Sequence, residues 1–325
     1  MNDTIPSAGA PTAAQMDAAR TVVASHLVPT PSVVLRLDGR RVIAKLESLQ
    51  VTGSFKIRGA LAAVSAAHRE DPTGAVITSS AGNHGLGIAH AAGQLGVSAT
   101  VVVPANASAA KVNKLRAYGI ELIQVGSSYD EAQAYAKALA VERSIHYISP
   151  FNDPHVIAGQ ATVFDELIEQ VPDIEHLVVP VGGGGLLSGV ILARVRHGSE
   201  RVVLTGVQPE ESAALYHVLR GVPMSQVVHH PTIADGLAGG GDEDSVTNEI
   251  IARSGVELVL VPEVAIRRGV QRAAASTGLV LEGSAATPFA AITDGLIATG
   301  DARVGFIASG RNIARELLVE LLAAD

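Results

Sequence analysis

The sequence contains no cysteine. That absence removes disulfides, thiolate metal sites and cysteine nucleophiles together, and it suits a reducing cytoplasm, where the protein is expected to reside. Charge is scarce as well: 17% of residues are charged, against about 25% in an average soluble chain. There is no lysine- or arginine-rich run and the net charge is −8, so nothing electrostatic favours a nucleic acid or an anionic membrane. The opening "MNDTIPSAGAPTAAQ" lacks the basic residues and apolar centre of a signal peptide, and residues 1–15 read as a loose tail. The least charged stretch, Leu177 to Ala193, holds Pro180 and Gly182 to Gly185, which would break the helix of roughly 20 apolar residues that a membrane span needs. No fixed-period repeat or low-complexity linker is present. H-E-x-x-H, G-x-S-x-G and G-x-x-x-x-G-K-[ST] are missing, and no G-x-G-x-x-G register fits residues 182–189. His229 and His230 lie in a proline-flanked loop, where solvated imidazoles need no function.

What is there is a chain of 325 residues, 47% hydrophobic, enough for about two domains with real cores. Short β-branched runs alternate with stretches of helical period: "RVIAKLES" then 57–69, "AVITSS" then 86–95, "ATVVVP" then 109–118, "IELIQV" then 129–142. After the turn-rich "YISPFNDPHVIAG" come "HLVVPV" then 186–197, "VVLTGV" then 211–220, "VELVLV" then 263–277, and "RVGFIA". Such alternation is the one-dimensional form of parallel sheets flanked by helices, and two α/β halves with a ligand cleft between them are expected. Ser128 with Glu131 predicts a capping box, and Gly119 a helix end. The loop-rich segment 222–248 reads as a lid or an interface.

Three strand-to-helix turns carry unusual chemistry. "VTGSFKIRGA" sets Lys56 between Phe55 and Ile57. "TSSAGNHGLG" packs Ser79, Ser80, Asn83 and His84 among small residues. "VPVGGGGLLSG" places four glycines before a helix. Four glycines in a row after a buried strand carry a large backbone-entropy cost, which argues for close approach of the main chain to a ligand. Free N–H groups at a helix start favour a phosphate. A partly desolvated lysine has a lowered pKa and becomes an amine able to form a Schiff base. A lysine and a phosphate cradle together point to a phosphorylated carbonyl, of which pyridoxal phosphate is the obvious example.

The sequence resembles the fold type II pyridoxal-phosphate enzymes, specifically the threonine/serine dehydratase and serine racemase group. The resemblance rests on "KLESLQVTGSFKIRGA", "SSAGNHG", "SPFNDPHVIAGQATVFDEL", "VPVGGGGLLSG", "TIADGLA", "EGSAA" and "ASGRN", which follow the family's order over nearly the whole chain. It implies an α/β fold of two open, twisted, largely parallel sheet domains, tryptophan synthase β-like, with pyridoxal 5'-phosphate in the cleft. Residues 1–65 and 151–325 would form a large cofactor-binding domain, and 66–150 a small substrate-closing one. Lys56 would carry the cofactor as a Schiff base and then remove the substrate Cα proton. Asn83 would bond the cofactor's 3′-oxygen, Gly182, Gly183, Gly184 and Gly185 its phosphate, and Ser309 would face its pyridine nitrogen, with Phe55 near the ring. Ser80, Ala81, Gly82, Asn83 and His84 would grip the substrate carboxylate. The implied reaction is α,β-elimination of water from an L-threonine- or L-serine-type amino acid, yielding a 2-oxo acid and ammonia. A cytoplasmic homodimer is the family's usual state.

The chain also departs from that pattern. Ala81 stands where serine racemases carry a serine whose hydroxyl moves a proton on the face opposite the lysine, which favours dehydration over racemisation. Gln208, Ser212 and Ala214 occupy positions that in metal-binding relatives supply a glutamate, a carbonyl donor and an aspartate, so no tight magnesium or calcium site is expected. Arg311 replaces a glycine, and either bonds backbone carbonyls or shifts the substrate towards an acidic hydroxyamino acid such as a 3-hydroxyaspartate. The chain ends at Asp325 without the regulatory domain of biosynthetic threonine dehydratases, so isoleucine feedback by that route is not expected. The rival readings are a serine racemase, an enzyme of β-replacement on an activated serine, and a silent sensor of pyridoxal phosphate or an amino acid.

Overall fold

The computed structural model describes residues 8–37, 39–239, 241, 242 and 244–323. Its first elements are α1 (Ala13–His26), β1 (Ser32–Leu37), β2 (Arg40–Lys45), α2 (Lys56–Glu70), β3 (Ala75–Ser79), α3 (Asn83–Leu95), β4 (Ser98–Val103), α4 (Ala109–Arg116), β5 (Glu121–Gln124), α5 (Tyr129–Arg143) and β6 (His146–Tyr147). They are followed by α6 (Pro154–Gln170), β7 (His176–Pro180), α7 (Gly185–Arg196), β8 (Val203–Pro209), α8 (Ala214–Val218), α9 (Val246–Ser254), β9 (Glu257–Val261), α10 (Glu263–Thr277), α11 (Gly283–Thr293), β10 (Val304–Ile307) and α12 (Arg315–Ala323). Most β-branched runs form strands and the periodic stretches helices, and α10 falls on the residues its period predicts.

The chain forms two compact units. The first, residues 1–10, 29–55 and 163–325, holds a six-stranded sheet in the order β1-β2-β10-β7-β8-β9, parallel except for the β1–β2 hairpin. Every residue of β7 is buried, as helices on both faces of a parallel sheet require. Phe289 and Phe306 meet with ring centroids 5.6 Å apart in this unit's core. Lys45 is wholly buried there, its Nζ donating to Glu166 Oε2 and to the Thr30 carbonyl, both at 2.6 Å.

The second unit, residues 11–28 and 56–162, holds an all-parallel sheet in the order β5-β4-β3-β6. Ile57, Leu61 and Val64 of α2 pack with Ile88 and Ala91 of α3. The units divide at residues 55/56 and 162/163, whereas the sequence suggested 65/66 and 150/151. Helix contacts explain the difference. A methyl on Gly87 of α3 would lie 3.2 Å from the Lys56 carbonyl, and one on Gly159 of α6 would lie 2.5 Å from Gly59 Cα, so α2 and the first part of α6 are locked to this unit.

Helix α1 corrects the expected loose tail at residues 13–15; residues 1–7 lie outside the described ones. Thr12 and Gln15 form a capping box: Gln15 N–H donates to Thr12 Oγ1 at 3.2 Å and Thr12 N–H to Gln15 Oε1 at 2.8 Å. Met16, Ala19 and Val23 are then buried. The box expected at Ser128 is only half formed: Ser128 accepts from Glu131 N–H, while Glu131 accepts from Ser127 N–H rather than from Ser128.

Candidate active site

In the first unit, β7 ends at Pro180 and the glycines turn the chain into α7. Gly184 is the N-cap of α7, with φ +86° and no side chain to take the helix's free N–H groups. The neighbours of the bend enforce small residues. A methyl on Gly182 would lie 3.1 Å from Leu237 Cα, and one on Gly184 2.9 Å from Thr247 Cβ. Thr247 donates its hydroxyl to the Gly183 carbonyl at 2.7 Å. Ser188, in the first turn of α7, is wholly buried, and its hydroxyl has no partner among the described residues. A capless helix start beside an orphaned hydroxyl fits a phosphate. The protein's own packing accounts for two of the four glycines, which the sequence alone credits to a ligand.

Ser309 lies in the same unit, just past β10, and is buried. Its carbonyl accepts from Phe55 N–H at 3.0 Å, and Arg311 N–H donates to the Gly53 carbonyl at 2.9 Å. Asn312 Nδ2 donates to the Thr52 carbonyl at 2.8 Å, and Asn312 N–H donates to Glu282 Oε2 at 2.9 Å. These bonds zip residues 52–55 to 309–312, so half-buried Phe55 runs beside Ser309. The Arg311 side chain is exposed.

In the second unit, Lys56 is the first residue of α2 and half-buried, with Nζ donating to the Pro150 carbonyl at 2.9 Å. The crossing at Gly87, one turn after Asn83, puts the starts of α2 and α3 side by side. Gly82 is the N-cap of α3, again without a side chain, and its N–H donates to Ser80 Oγ at 3.2 Å. The first turn, from Asn83 to Gly85, thus presents the positive end of a 13-residue helix. His84 is 3% exposed, and neither ring nitrogen has a hydrogen-bond partner among the described residues. Burial pushes its pKa down to about 3, assisted by the Lys56 charge, while the Ile148 carbonyl and Asp153 pull weakly the other way. A neutral imidazole supplies no charge to an anion. Ala81 is half-buried, against a cluster that includes Leu86 and Val101.

Within the segment 222–248, read as a lid or an interface, Thr232 Oγ1 and Ile233 N–H donate to the Glu263 carboxylate at 2.6 and 3.0 Å. No group of three or more histidine, aspartate or glutamate residues among the described ones is placed to hold a metal. No helix among them is long and apolar enough to cross a membrane. Sequence reasoning missed Thr247, for which the sequence holds no local signal, and Pro150, which stands in the "SPFNDP" stretch without an assigned role. It gave Glu282 and Asn312 no role, although both stand in motifs it singled out.

Parallel α/β units that carry a lysine at one helix start and a bare glycine bend at another define an enzyme built to hold a phosphorylated carbonyl cofactor. The family model described as pyridoxal-phosphate dependent enzyme matches residues 22–310. The chain belongs to that family, as an enzyme of fold type II that depends on pyridoxal 5'-phosphate. It is 37% identical over 294 residues to an L-threonine ammonia-lyase of Thermotoga maritima, covering 90% of this chain and 73% of that one. The structure of the processed form of threonine deaminase isoform 2 from Solanum lycopersicum superposes with TM-score 0.85 at 28% identity, covering 99% of this chain and 97% of the other. A maize serine racemase structure does so with TM-score 0.85 at 28% identity, covering 96% and 97%.

Proposed function

We propose that the enzyme dehydrates and deaminates a hydroxyamino acid of the L-threonine or L-serine type, giving a 2-oxo acid and ammonia. The observation that carries this reading is the start of α3, a 13-residue helix capped by Gly82 without a side chain, which presents its positive end beside the first turn of α2, where Lys56 stands. The relatives named for threonine ammonia-lyase and threonine deaminase support it.

Lys56 would hold the cofactor aldehyde through its amine, and that amine would take the substrate Cα proton. The start of α3 binds the substrate carboxylate, orienting Cα towards that amine. Asn83 would hold the cofactor's 3′-oxygen, Gly182 to Gly185 its phosphate and Ser309 its pyridine nitrogen, with Phe55 beside its ring. When bound, the cofactor supplies an electron sink for the charge left at Cα. A serine at the ring nitrogen donates or accepts one hydrogen bond without adding charge, which suits a fast elimination better than a long-lived carbanion. Loss of the β-hydroxyl as water leaves an unsaturated amino acid that hydrolyses to the products. Ala81 has no proton to give on the opposite face, which disfavours racemisation. A cytoplasmic homodimer completes the reading, supported by the lack of cysteine and the thin charged coat.

The test is ketoacid and ammonia release over a panel of hydroxyamino acids, with Lys56→Ala as control. Turnover of threonine or serine that vanishes in the control is the expected result. A protein that holds the cofactor but turns over nothing on the panel would sink the proposal and favour a sensor.

A further inference from the structure

The segment that backs the glycine bend is itself held at both ends. Residues 236 and 237 lie directly on Gly182, where a methyl would come within 3.1 Å of Leu237 Cα and 3.4 Å of the Gly236 carbonyl. Upstream, Glu263 takes the Thr232 hydroxyl and the Ile233 N–H. Downstream, Gly239 N–H donates to Ser212 Oγ at 3.0 Å, and the same hydroxyl shares a 2.7 Å hydrogen bond with His229 Nδ1. His230 N–H donates to the neighbouring Glu211 carbonyl at 2.7 Å. Ser212 is wholly buried, so its bonds are made without competition from water.

Metal-binding relatives would draw cation ligands from positions 208, 212 and 214. Here Gln208 Oε1 accepts from Tyr216 N–H at 2.7 Å. Position 212 would offer only its main-chain carbonyl, and Ala214 has no side-chain oxygen, so neither charged ligand of that set is present. A hard divalent cation needs several oxygen ligands, preferably charged, and these residues do not fit one.

We propose that Ser212, with His229, is a positioning residue that stands in for the cation. It clamps residues 229–239 against the glycine bend and so sets the grip on the cofactor phosphate, making cofactor retention independent of divalent ions. The proposal rests on the reading that Gly182 to Gly185 hold that phosphate. The experiment follows the visible band of the holoenzyme on dilution, with and without EDTA, magnesium or calcium, in the wild type and in Ser212→Ala, Ser212→Thr, His229→Ala and the Ser212→Ala/His229→Ala double variant. Wild-type retention is expected to ignore chelator and both ions. Ser212→Ala is expected to bind the cofactor roughly tenfold more weakly, since a buried acceptor lost from a hydrogen-bonded cluster costs about that factor. Ser212→Thr should restore most of the affinity. His229→Ala, at an exposed position that the fold tolerates, should weaken binding less and add nothing to Ser212→Ala. Loss of the band in EDTA with recovery on magnesium or calcium overturns the proposal, as do alanine variants that retain the cofactor like the wild type. A wild type that never acquires a lysine-bound chromophore sinks the reading of the bend as well, which separates the two failures.

Discussion

The Thr247 hydroxyl donates to the Gly183 carbonyl at 2.7 Å across 64 residues of sequence. The bond turns one carbonyl of the glycine bend into the protein and leaves the N–H groups at the start of α7 for an anion. Thr247→Val keeps the shape and leaves that carbonyl, and the Ser245 hydroxyl 2.7 Å from Thr247 Oγ1, short of a partner. Cofactor affinity should fall about tenfold, from the cost of roughly 1–3 kcal/mol for an unsatisfied buried group. Titration of the visible band measures it, and unchanged affinity would mean the bend holds its shape unaided.

The contact of Gly159 with α2 is between backbones. An added methyl would lie 2.5 Å from Gly59 Cα and from the Arg58 carbonyl oxygen, and a main chain cannot rotate away as a side chain can. Gly159→Ala should therefore destabilise the protein by about 3 kcal/mol, the upper part of the usual overpacking range. Thermal unfolding followed by circular dichroism checks this. A midpoint equal to the wild type would show slack between the helices.

Neutral burial of His84 makes stability depend on pH. Its folded pKa of about 3 lies below the ordinary value of 6.5, so between these values the unfolded chain binds a proton that the folded chain refuses. The stabilising contribution is complete above pH 6.5 and is lost as pH falls, with a slope of at most about 1.4 kcal/mol per pH unit. Burial lowers His176 also, with the same sign, while the Asp153 carboxylate, which favours the protonated ring as an acceptor, raises His146 and works the other way. Urea unfolding across this range should show a shallower pH dependence for His84→Asn than for the wild type. Parallel curves would place the acid sensitivity elsewhere.

Ala81 bears on reaction outcome. Wild-type enzyme should not interconvert L- and D-serine, and Ala81→Ser should gain interconversion about 10²-fold above background, the lower end of what a positioned acid–base group contributes. Chiral chromatography of timed samples decides it. Rapid interconversion by the wild type would show that another group reprotonates the second face.

Much of this was legible in one dimension. Helix α10 follows its apolar period from Glu263 to Thr277, and the all-buried β7 shows as the unbroken apolar run a two-sided parallel sheet demands. Lys56, Asn83 and the glycine bend stood out because each pairs unusual chemistry with a strand-to-helix turn. Helix α1 was passed over because its buried face, Met16, Ala19 and Val23, lies in an alanine-rich run of weak contrast. The break between compact units at 55/56 differs from the expected 65/66 because close helix approach, as at Gly59 and Gly87, leaves no mark beyond a small residue.

By itself the sequence determined the alternation of strands and helices and the family, and it singled out Lys56 and the glycine bend, since period, turn propensity and backbone entropy are local properties of the chain. Tertiary structure alone decided that Thr247 anchors Gly183, that Glu282 holds Asn312 from 30 residues away, and that Ser212 and Glu263 pin the segment behind the bend. Those bonds join residues brought together only when the sheet's crossovers are packed, and buried polar groups must find partners wherever the fold places them.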